Sequence, residues 1–238
     1  MRLLTNKIKK FLLDLFFPKN CLGCKQPDTY LCRDCFTRIE TTSNNYCFFC
    51  NKITGNGKIC LNCAKEHYLD RVISASEYKN PLIQELIRAF KYHYAQELAK
   101  PLSQLLIKTL RDLNFGLCNL DFIIVPIPLF KYRLHYRGFN QAELLAKELA
   151  DHFNLPLETN LLKRKISRVP QAKINDIEKR KSNVENSFDV GLEINKVENK
   201  IVILVDDVIT TGATLLEAAK ILKENKAKEV WAITIAKG

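Results

Sequence analysis

Residues 201–214 are the segment that most restricts the fold of this 238-residue chain. The run IVILV (201–205) consists of β-branched residues and leucine, which predicts a buried strand. Asp206 and Asp207 stand at its carboxyl end, and the loop VITTGAT then leads into a helix predicted over 215–226. Ligands of open α/β sheets bind at the carboxyl ends of the strands. We therefore expect an α/β sheet with a ligand site at this loop.

The residue types of this loop fit the phosphate and the ribose of one ligand. Two adjacent carboxylates repel each other unless they meet hydroxyl groups or a ligand that carries Mg²⁺. Gly212 lets the backbone come close to a phosphate. The hydroxyl groups of Thr210, Thr211 and Thr214 add donors to the N–H groups of the helix start. Because neither GxxxxGK(S/T) nor GxGxxG occurs in the chain, the loop predicts a ribose 5-phosphate site rather than one of those phosphate motifs.

From residue 72 onward, predicted strands alternate with predicted helices. The run FIIVPIP (122–128) indicates a buried strand, and Asn80 with Pro81 marks a helix start. Such alternation is typical of a mainly parallel sheet with crossover helices, so we predict that α/β fold class. The other predicted elements are a strand at 72–78, helices through 82–95, 101–113 and 139–153, and a final strand at 229–236.

Eight of the nine cysteines form four CxxC pairs before residue 64. Two CxxC turns complete a tetrahedral sulfur shell, so we predict two structural zinc ions. Pairing in sequence order gives two ribbons in tandem, although interleaved pairing is also open. Disulfides, redox-active pairs and iron–sulfur clusters fit four repeated CxxC pairs without a signal peptide less well. The pairs are Cys21 with Cys24, Cys32 with Cys35, Cys47 with Cys50, and Cys60 with Cys63.

Aromatic residues accompany these cysteines, among them Tyr30, Tyr46, Phe48 and Phe49. A zinc ribbon this small needs such rings for its own core, and stacking on nucleic-acid bases is the alternative role. The ninth cysteine, Cys118, is predicted to be a buried apolar residue.

The charge balance of the chain is basic. It holds 37 Lys and Arg against 26 Asp and Glu, for a net charge of +11. Each zinc ion bound by four thiolates contributes −2, which leaves the folded chain at about +7. This excess favours polyanionic partners: nucleic acid, anionic lipid or phosphorylated small molecules.

The first seventeen residues, MRLLTNKIKKFLLDLFF, are basic and apolar. Asp14 interrupts the apolar run and no small-residue cleavage site follows, so a signal peptide is not predicted. Apolar residues at helical spacing indicate an amphipathic helix that docks on its own domain or, alternatively, lies on a membrane surface. We expect a cytoplasmic protein, with a peripheral position at the inner face of the membrane as the variant.

Residues 202–214, VILVDDVITTGAT, resemble the signature of type I phosphoribosyltransferases. Together with VPIPLFKYRLHYRGFNQAELLA (125–146), KY at 91–92 and the CxxC pairs, they make nearly the whole chain similar to the ComF family, which includes ComFC competence proteins and GntX-like relatives. We predict three segments: an amphipathic helix at 1–18, a double zinc ribbon at 19–66 and a phosphoribosyltransferase-like domain at 70–238. The resemblance implies that Asp206 and Asp207 contact ribose hydroxyls. The implied 5-phosphate ligands are Thr210, Thr211, Gly212, Ala213 and Thr214.

Two basic segments complete the predicted site. KYRLHYRG (131–138) stands where the fold has its diphosphate-binding loop, which implies that role for Arg133, Arg137 and Gly138. A solvated basic turn is the alternative. Residues 161–185 hold eight basic and three acidic side chains, where ComF relatives carry a mobile loop. This loop either closes over a diphosphate or forms a track for a nucleic-acid backbone. The residues assigned to it are Arg164, Lys165, Arg168, Gln171 and Arg180.

Two functions are consistent with these features. The resemblance implies a competence protein for DNA uptake that binds phosphoribosyl diphosphate with Mg²⁺, single-stranded DNA and other DNA-uptake proteins. The alternative is an active phosphoribosyltransferase with an unidentified acceptor. Only two residues follow the last predicted strand, beyond which many such enzymes cover the acceptor base. Because the sequence identifies no acceptor pocket, we expect a binding protein.

Overall fold

The computed structural model describes residues 19–92, 95–115, 121–165 and 187–238. Several predictions lie outside these ranges: the N-terminal helix at 1–18, the burial of Cys118, and the roles of Arg168, Gln171 and Arg180. The described strands are β1 (Arg71–Glu77), β2 (Phe122–Pro126), β3 (Leu162–Arg164), β4 (Phe188–Val190), β5 (Ile201–Ile209) and β6 (Glu229–Lys237). The described α-helices are α1 (Arg33–Thr37), α2 (Leu61–Ala64), α3 (Pro81–Tyr92), α4 (Ala99–Asp112), α5 (Lys131–Arg137), α6 (Gln141–Phe153) and α7 (Ala213–Glu224). Short 3₁₀ turns lie at Gln96–Leu98 and Ile194–Val197.

Four strands form one sheet in the order β1-β6-β5-β2, and each neighbouring pair is parallel. The antiparallel pair β3–β4 forms a separate two-stranded sheet. The prediction of a mainly parallel sheet with helices between its strands is therefore confirmed. Helix α3 starts as the sequence predicts, because the Asn80 Oδ1 accepts hydrogen bonds from the backbone N–H groups of Leu82 and Ile83.

Two local predictions are wrong. Strand β5 does not end at residue 205 but continues to Ile209, because its pairing with β6 extends to Lys237. Asp206 and Asp207 therefore lie inside the strand. The segment at 131–137 was expected to be a loop but forms helix α5, which has no buried residue and ends at Gly138 with a left-handed φ of 77°.

Each face of the sheet carries its own hydrophobic core. Ile73, Ile203 and Ile233 pack with buried residues of α3, α4 and α6. On the other face, Val202 and Leu204 pack with α7 and with residues of the cysteine-rich segment. Because side chains alternate along a strand, the near-continuous apolar run in β5 is explained by burial on both faces. The carboxyl ends of the strands are thereby held in fixed positions.

The cysteine-rich segment covers the outer edge of β1. The Asn44 side chain donates to the Ser74 carbonyl at 3.0 Å and accepts from the Ser74 N–H at 3.0 Å. The Val72 N–H donates to the Gly57 carbonyl at 2.8 Å. A side chain at Gly57 would collide with β1, since its Cβ would lie 2.5 Å from the Val72 carbonyl oxygen. The ribbon segment is therefore packed directly onto the sheet.

Within the described ranges, no helix is both long and apolar enough to cross a membrane.

Candidate functional site

The predicted phosphate loop joins β5 to α7. Gly212 is the residue before the helix, and its φ of 78° is a left-handed conformation that favours glycine. Helix α7 starts at Ala213, so its first N–H groups have no partners inside the helix and face the loop. The Thr211 Oγ1 accepts from the Ala213 N–H at 3.4 Å. This arrangement is a concave set of donors of the kind that binds a phosphate.

The two carboxylates in β5 are held by different partners. The Asp207 carboxylate forms an ion pair with Lys91 at 2.8 Å, and only 10% of the Asp207 side chain is exposed. The Asp206 Oδ1 accepts from the Asp207 N–H at 2.8 Å. Lys91 comes from the end of α3, so the pair joins two elements that are distant in sequence.

The pKa of Asp206 differs from that of an ordinary surface carboxylate. Burial of its carboxyl, followed by the neighbouring charge of Asp207, raises the pKa of Asp206 to about 7. The hydrogen bond from the Asp207 N–H and the charges of Lys91 and Arg164 oppose that rise. The carboxyl can therefore lose or gain a proton near neutral pH, when a cation or a hydroxyl-bearing ligand arrives.

Helix α5 places two arginines one turn apart. Arg133 and Arg137 are four residues apart and lie on one face of the helix. Gln141 positions Arg137, since its buried amide accepts from the Arg137 Nη1 at 3.0 Å and donates to the Phe90 carbonyl at 3.1 Å. The helix thus presents a fork of guanidinium donors toward β5.

Arg164, at the end of β3, is enclosed by aromatic rings. Its guanidinium lies 4.4 Å from the ring centre of Phe130 and 4.3 Å from that of Phe188. Its Nε and Nη1 atoms are buried and have no hydrogen-bond partner among the described residues. Burial and the nearby charge of Arg133 lower the pKa of Arg164 to about 10, so it stays charged at neutral pH. A buried, charged and incompletely bonded guanidinium indicates a site for an anion.

These groups meet in one small polar cavity of about 110 Å³. Its charged lining consists of four cationic and two anionic side chains. Because the cationic side chains are in excess, the cavity is suited to an anionic ligand. Lys165 does not line it but forms an ion pair with Asp189 at 3.2 Å. The charged and hydroxyl side chains at the cavity are Lys91, Arg133, Arg137, Arg164, Asp206, Asp207 and Thr214.

The cysteines form two separate four-sulfur clusters. Within each cluster, the Sγ atoms lie within 4.8 Å of one another. The Sγ atoms of Cys24 and Cys32 are 3.6 Å apart, close to the edge of about 3.8 Å that a tetrahedron with zinc–sulfur bonds of about 2.3 Å requires. The clusters follow the sequence order, which excludes the interleaved pairing. Their members are Cys21, Cys24, Cys32 and Cys35 in the first, and Cys47, Cys50, Cys60 and Cys63 in the second.

The surroundings of the sulfur atoms fit a structural zinc ion. Burial alone would raise the pKa of the Cys21 thiol, but backbone N–H groups, chiefly that of Cys32, outweigh it and lower that pKa to about 6. The N–H group of Cys63 is the main cause that lowers the pKa of Cys60 to about 7. A Cβ at Gly23 would lie 2.6 Å from the Cys35 Sγ, so the first turn is shaped around the sulfur cluster. In the same cluster, burial raises the pKa of the Cys35 thiol to about 12. The fit to zinc therefore rests on the closed shell of four sulfur atoms at each site.

Comparisons with known proteins agree with this architecture. The phosphoribosyl transferase domain family matches residues 140–238, and the double zinc ribbon domain family matches residues 12–66. Competence protein F of Haemophilus influenzae is 32% identical over 230 residues, which cover 93% of this chain and 99% of that protein. The chain belongs to the ComF family. Competence protein ComFC of Bacillus subtilis is 29% identical over 88% of this chain and 85% of that protein. DNA utilization protein YhgH of Escherichia coli K12 is 29% identical over 92% of this chain and 98% of that protein.

The second zinc ribbon of this ComF chain contacts the phosphate loop. Phe48, in the turn between Cys47 and Cys50, has its Cε1 atom 3.4 Å from the position that a Cβ would take on Gly212. The ring of Phe48 also packs edge-on against Phe49 at 5.2 Å. The second ribbon therefore lies against the loop through one aromatic side chain, close enough that a Cβ at position 212 would touch its ring.

The ComF site contains residues that sequence reasoning did not assign. Lys91, at the end of α3, forms an ion pair with Asp207 of β5, which is far away in the chain. Gln141 accepts from Arg137, four residues before it, and also donates to the distant Phe90 carbonyl. The sequence did contain a signal for Lys91, since KY at 91–92 is part of the family resemblance. A large cavity beside Asp207 was also missed, because its walls come from four separate elements.

Proposed function

We propose that this ComF chain takes part in DNA uptake, where it binds phosphoribosyl diphosphate with Mg²⁺ and single-stranded DNA. Its relatives carry the names competence protein and DNA utilization protein. The proposal places the chain in the cytoplasm, where zinc-bound thiolates stay reduced, and in contact with other DNA-uptake proteins. The segment 1–17 would allow a peripheral contact with the membrane.

The observation that carries the ligand proposal is the buried guanidinium of Arg164. Two of its nitrogen atoms are buried without a hydrogen-bond partner among the described residues, and Arg133 and Arg137 line the same cavity. A diphosphate would supply the missing acceptors and balance the excess positive charge.

The carboxylates of β5 would hold the other half of this ligand. Asp206 and Asp207 would accept from the ribose hydroxyls, and the oxygen-rich site suits the Mg²⁺ that a diphosphate carries. The start of α7, with Thr214, would bind the 5-phosphate. Mg²⁺ would neutralise the diphosphate charge, while the protein groups fix its position.

Single-stranded DNA binding is proposed from charge. With two zinc sites filled, the chain carries about +7. Within the basic segment 161–185, Arg164 belongs to the small cavity and Lys165 lies outside it in a pair with Asp189. Lys165 is therefore better placed than Arg164 to contact a nucleic-acid backbone.

Calorimetry with phosphoribosyl diphosphate and Mg²⁺ tests the ligand proposal. We expect the wild type to bind and the double variant Asp206→Ala with Asp207→Ala to lose binding. Asp189→Ala is the matched control, because it removes an acidic side chain that is 60% exposed and outside the cavity. A correctly folded, zinc-loaded wild type that does not bind would rule out the proposal.

An active phosphoribosyltransferase is the second candidate function. It is favoured by the cavity of about 960 Å³ that opens beside Asp207 and Thr210, since this space adjoins the proposed ribose site. The test is release of diphosphate in the presence of candidate nucleobases. Release that is lost in the Asp206→Ala, Asp207→Ala variant would establish turnover.

A further inference from the structure

The cavity of about 960 Å³ next to the phosphate loop has an unusual lining. Its size is at the upper end of the range of about 300–1,000 Å³ for sites that hold small molecules. Four tyrosines surround it: Tyr78, Tyr92, Tyr132 and Tyr136. Each is at least 37% exposed, so the rings are not part of a closed core. An open wall of aromatic rings is suited to a planar ring as ligand.

Helix α5 carries both aromatic and cationic side chains to this cavity. Tyr132 and Tyr136 are one helical turn apart, as are Arg133 and Arg137. All four side chains line the large cavity, whereas only the arginines also line the small polar one. The helix thus presents a row of rings to the large space and a row of guanidinium groups to the boundary between the two.

The charge of the large cavity favours a ligand with phosphates. Lys91, Arg133 and Arg137 line it, while Asp207, which already pairs with Lys91, is its only acidic lining residue among those described. The Arg137 guanidinium lies 5.3 Å from the ring centre of Tyr92. Rings combined with guanidinium groups are the pattern of surfaces that stack unpaired bases and hold the backbone between them.

We infer that this cavity binds nucleobases of single-stranded DNA by stacking on the tyrosines, while the arginines bind the adjoining phosphates. The inference rests on the proposed function and adds the place where the strand is held. It also puts a base next to Asp207 and Thr210, so a DNA strand and the phosphoribosyl ligand would occupy neighbouring sites that share Arg133 and Arg137 at their boundary. Paired bases cannot enter, so single strands are selected over duplex.

Fluorescence anisotropy with a labelled oligodeoxythymidine tests this inference. We expect the double variant Tyr78→Ala with Tyr136→Ala to bind about tenfold more weakly or worse, and Tyr78→Phe with Tyr136→Phe to keep the affinity because it keeps the rings. Tyr68→Ala is the matched control, since Tyr68 is 42% exposed and outside the cavity. An abasic strand of the same length should bind the wild type and the alanine variant equally.

Photo-cross-linking with 5-iododeoxyuridine locates the bases directly. We expect cross-linked peptides to contain tyrosines of the cavity. Cross-links confined to Tyr46, Phe48 or Phe49 of the second ribbon would overturn the inference. So would an unchanged affinity of the alanine variant, or a site that takes free nucleobases but not the strand. In those cases single-stranded DNA still binds elsewhere on the wild type and the proposed function stands, whereas a wild type that binds no single-stranded DNA removes the proposed function as well.

Discussion

The guanidinium of Arg164 is held between aromatic rings. Phe130 and Phe188 hold it from two sides, and its buried Nε and Nη1 lack partners among the described residues. Desolvating a charged group costs free energy that a native structure must recover elsewhere. A bound anion would recover it, which is why we propose a ligand at this residue.

We therefore expect a replacement of Arg164 to weaken ligand binding while the protein still folds. Because a hydrogen bond to a charged group contributes about 1.5–3 kcal/mol, we expect Arg164→Ala to weaken phosphoribosyl diphosphate binding at least about tenfold. Arg164→Lys should also weaken it, since an ammonium lacks the planar donors. Lys165→Ala, one residue further on, should bind as the wild type does. Calorimetry measures the affinities and thermal unfolding checks the fold; equal affinities in the alanine variants of both residues would contradict this role.

Asp206 predicts a pH dependence of stability. Its pKa is raised by burial to about 7 in the folded chain, against about 3.9 when unfolded. Between these values the folded state holds a proton that the unfolded state has lost, so stability falls as the pH rises. Relative to Asp206→Asn, we expect the wild type to lose at least about 1 kcal/mol of unfolding free energy from about pH 5 to about pH 8. Urea unfolding of zinc-loaded protein measures this; a constant difference between the two proteins would show that the pKa is not raised.

Sequence-based prediction selected several residues that the structure brings together. Thr214, Asp206 and Asp207 were assigned from the loop motif, and they meet in one cavity with Arg133 and Arg137. It failed where the role depends on a distant partner. Lys91 is one of many lysines until α3 and β5 pack together, and Gln141 is an ordinary helix residue until Phe90 and Arg137 lie beside it.

Among the elements, the two zinc ribbons differ in what they support. The second contacts the phosphate loop through Phe48 and Gly212. The first, through Ile39, packs against the core on the face formed by α3, α4 and α6. Loss of zinc from the second ribbon should therefore change the conformation of the predicted phosphate loop.

A matched pair of cysteine variants tests this difference. Cys50 and Cys24 are both exposed members of their four-sulfur clusters. We expect Cys50→Ser to weaken phosphoribosyl diphosphate binding several-fold more than Cys24→Ser, because it loosens the turn that carries Phe48. Zinc content by mass spectrometry and calorimetric affinity are measured together. If each variant loses about one zinc ion and both weaken phosphoribosyl diphosphate binding equally, the contact between Phe48 and Gly212 does not influence the loop.

Helix α5 shows why one element escaped prediction. None of the residues of Lys131–Arg137 is buried, so the segment has no apolar face from which to read a helical period.

The strand β5 was too short in the prediction for a different reason. Its residues from Asp206 onward are polar in part, and only the pairing with β6 as far as Lys237 keeps them in the sheet.

At the scale of the whole molecule, the positive charge predicts salt-sensitive DNA binding. Phosphate contacts release counterions, with a slope of about −0.7 per contact for single strands in a plot of log affinity against log salt. We expect single-stranded DNA affinity to fall steeply between low and physiological salt. The slope should be smaller in the Arg164→Ala, Lys165→Ala, Arg168→Ala variant. Affinity measured by anisotropy that stays constant with salt would exclude a basic track.

The cover that residues 44–57 place over β1 has a consequence for the apo protein. A parallel strand at a sheet edge offers unpaired backbone groups to any other strand, which is how folded proteins start to aggregate. Here the hydrogen bonds of Asn44 and Gly57 occupy β1, and both residues belong to the segment that carries Cys47 and Cys50 of the second four-sulfur cluster. If loss of zinc loosens this segment, the edge of β1 becomes accessible, and we expect the zinc-free protein to self-associate more readily than the zinc-loaded protein.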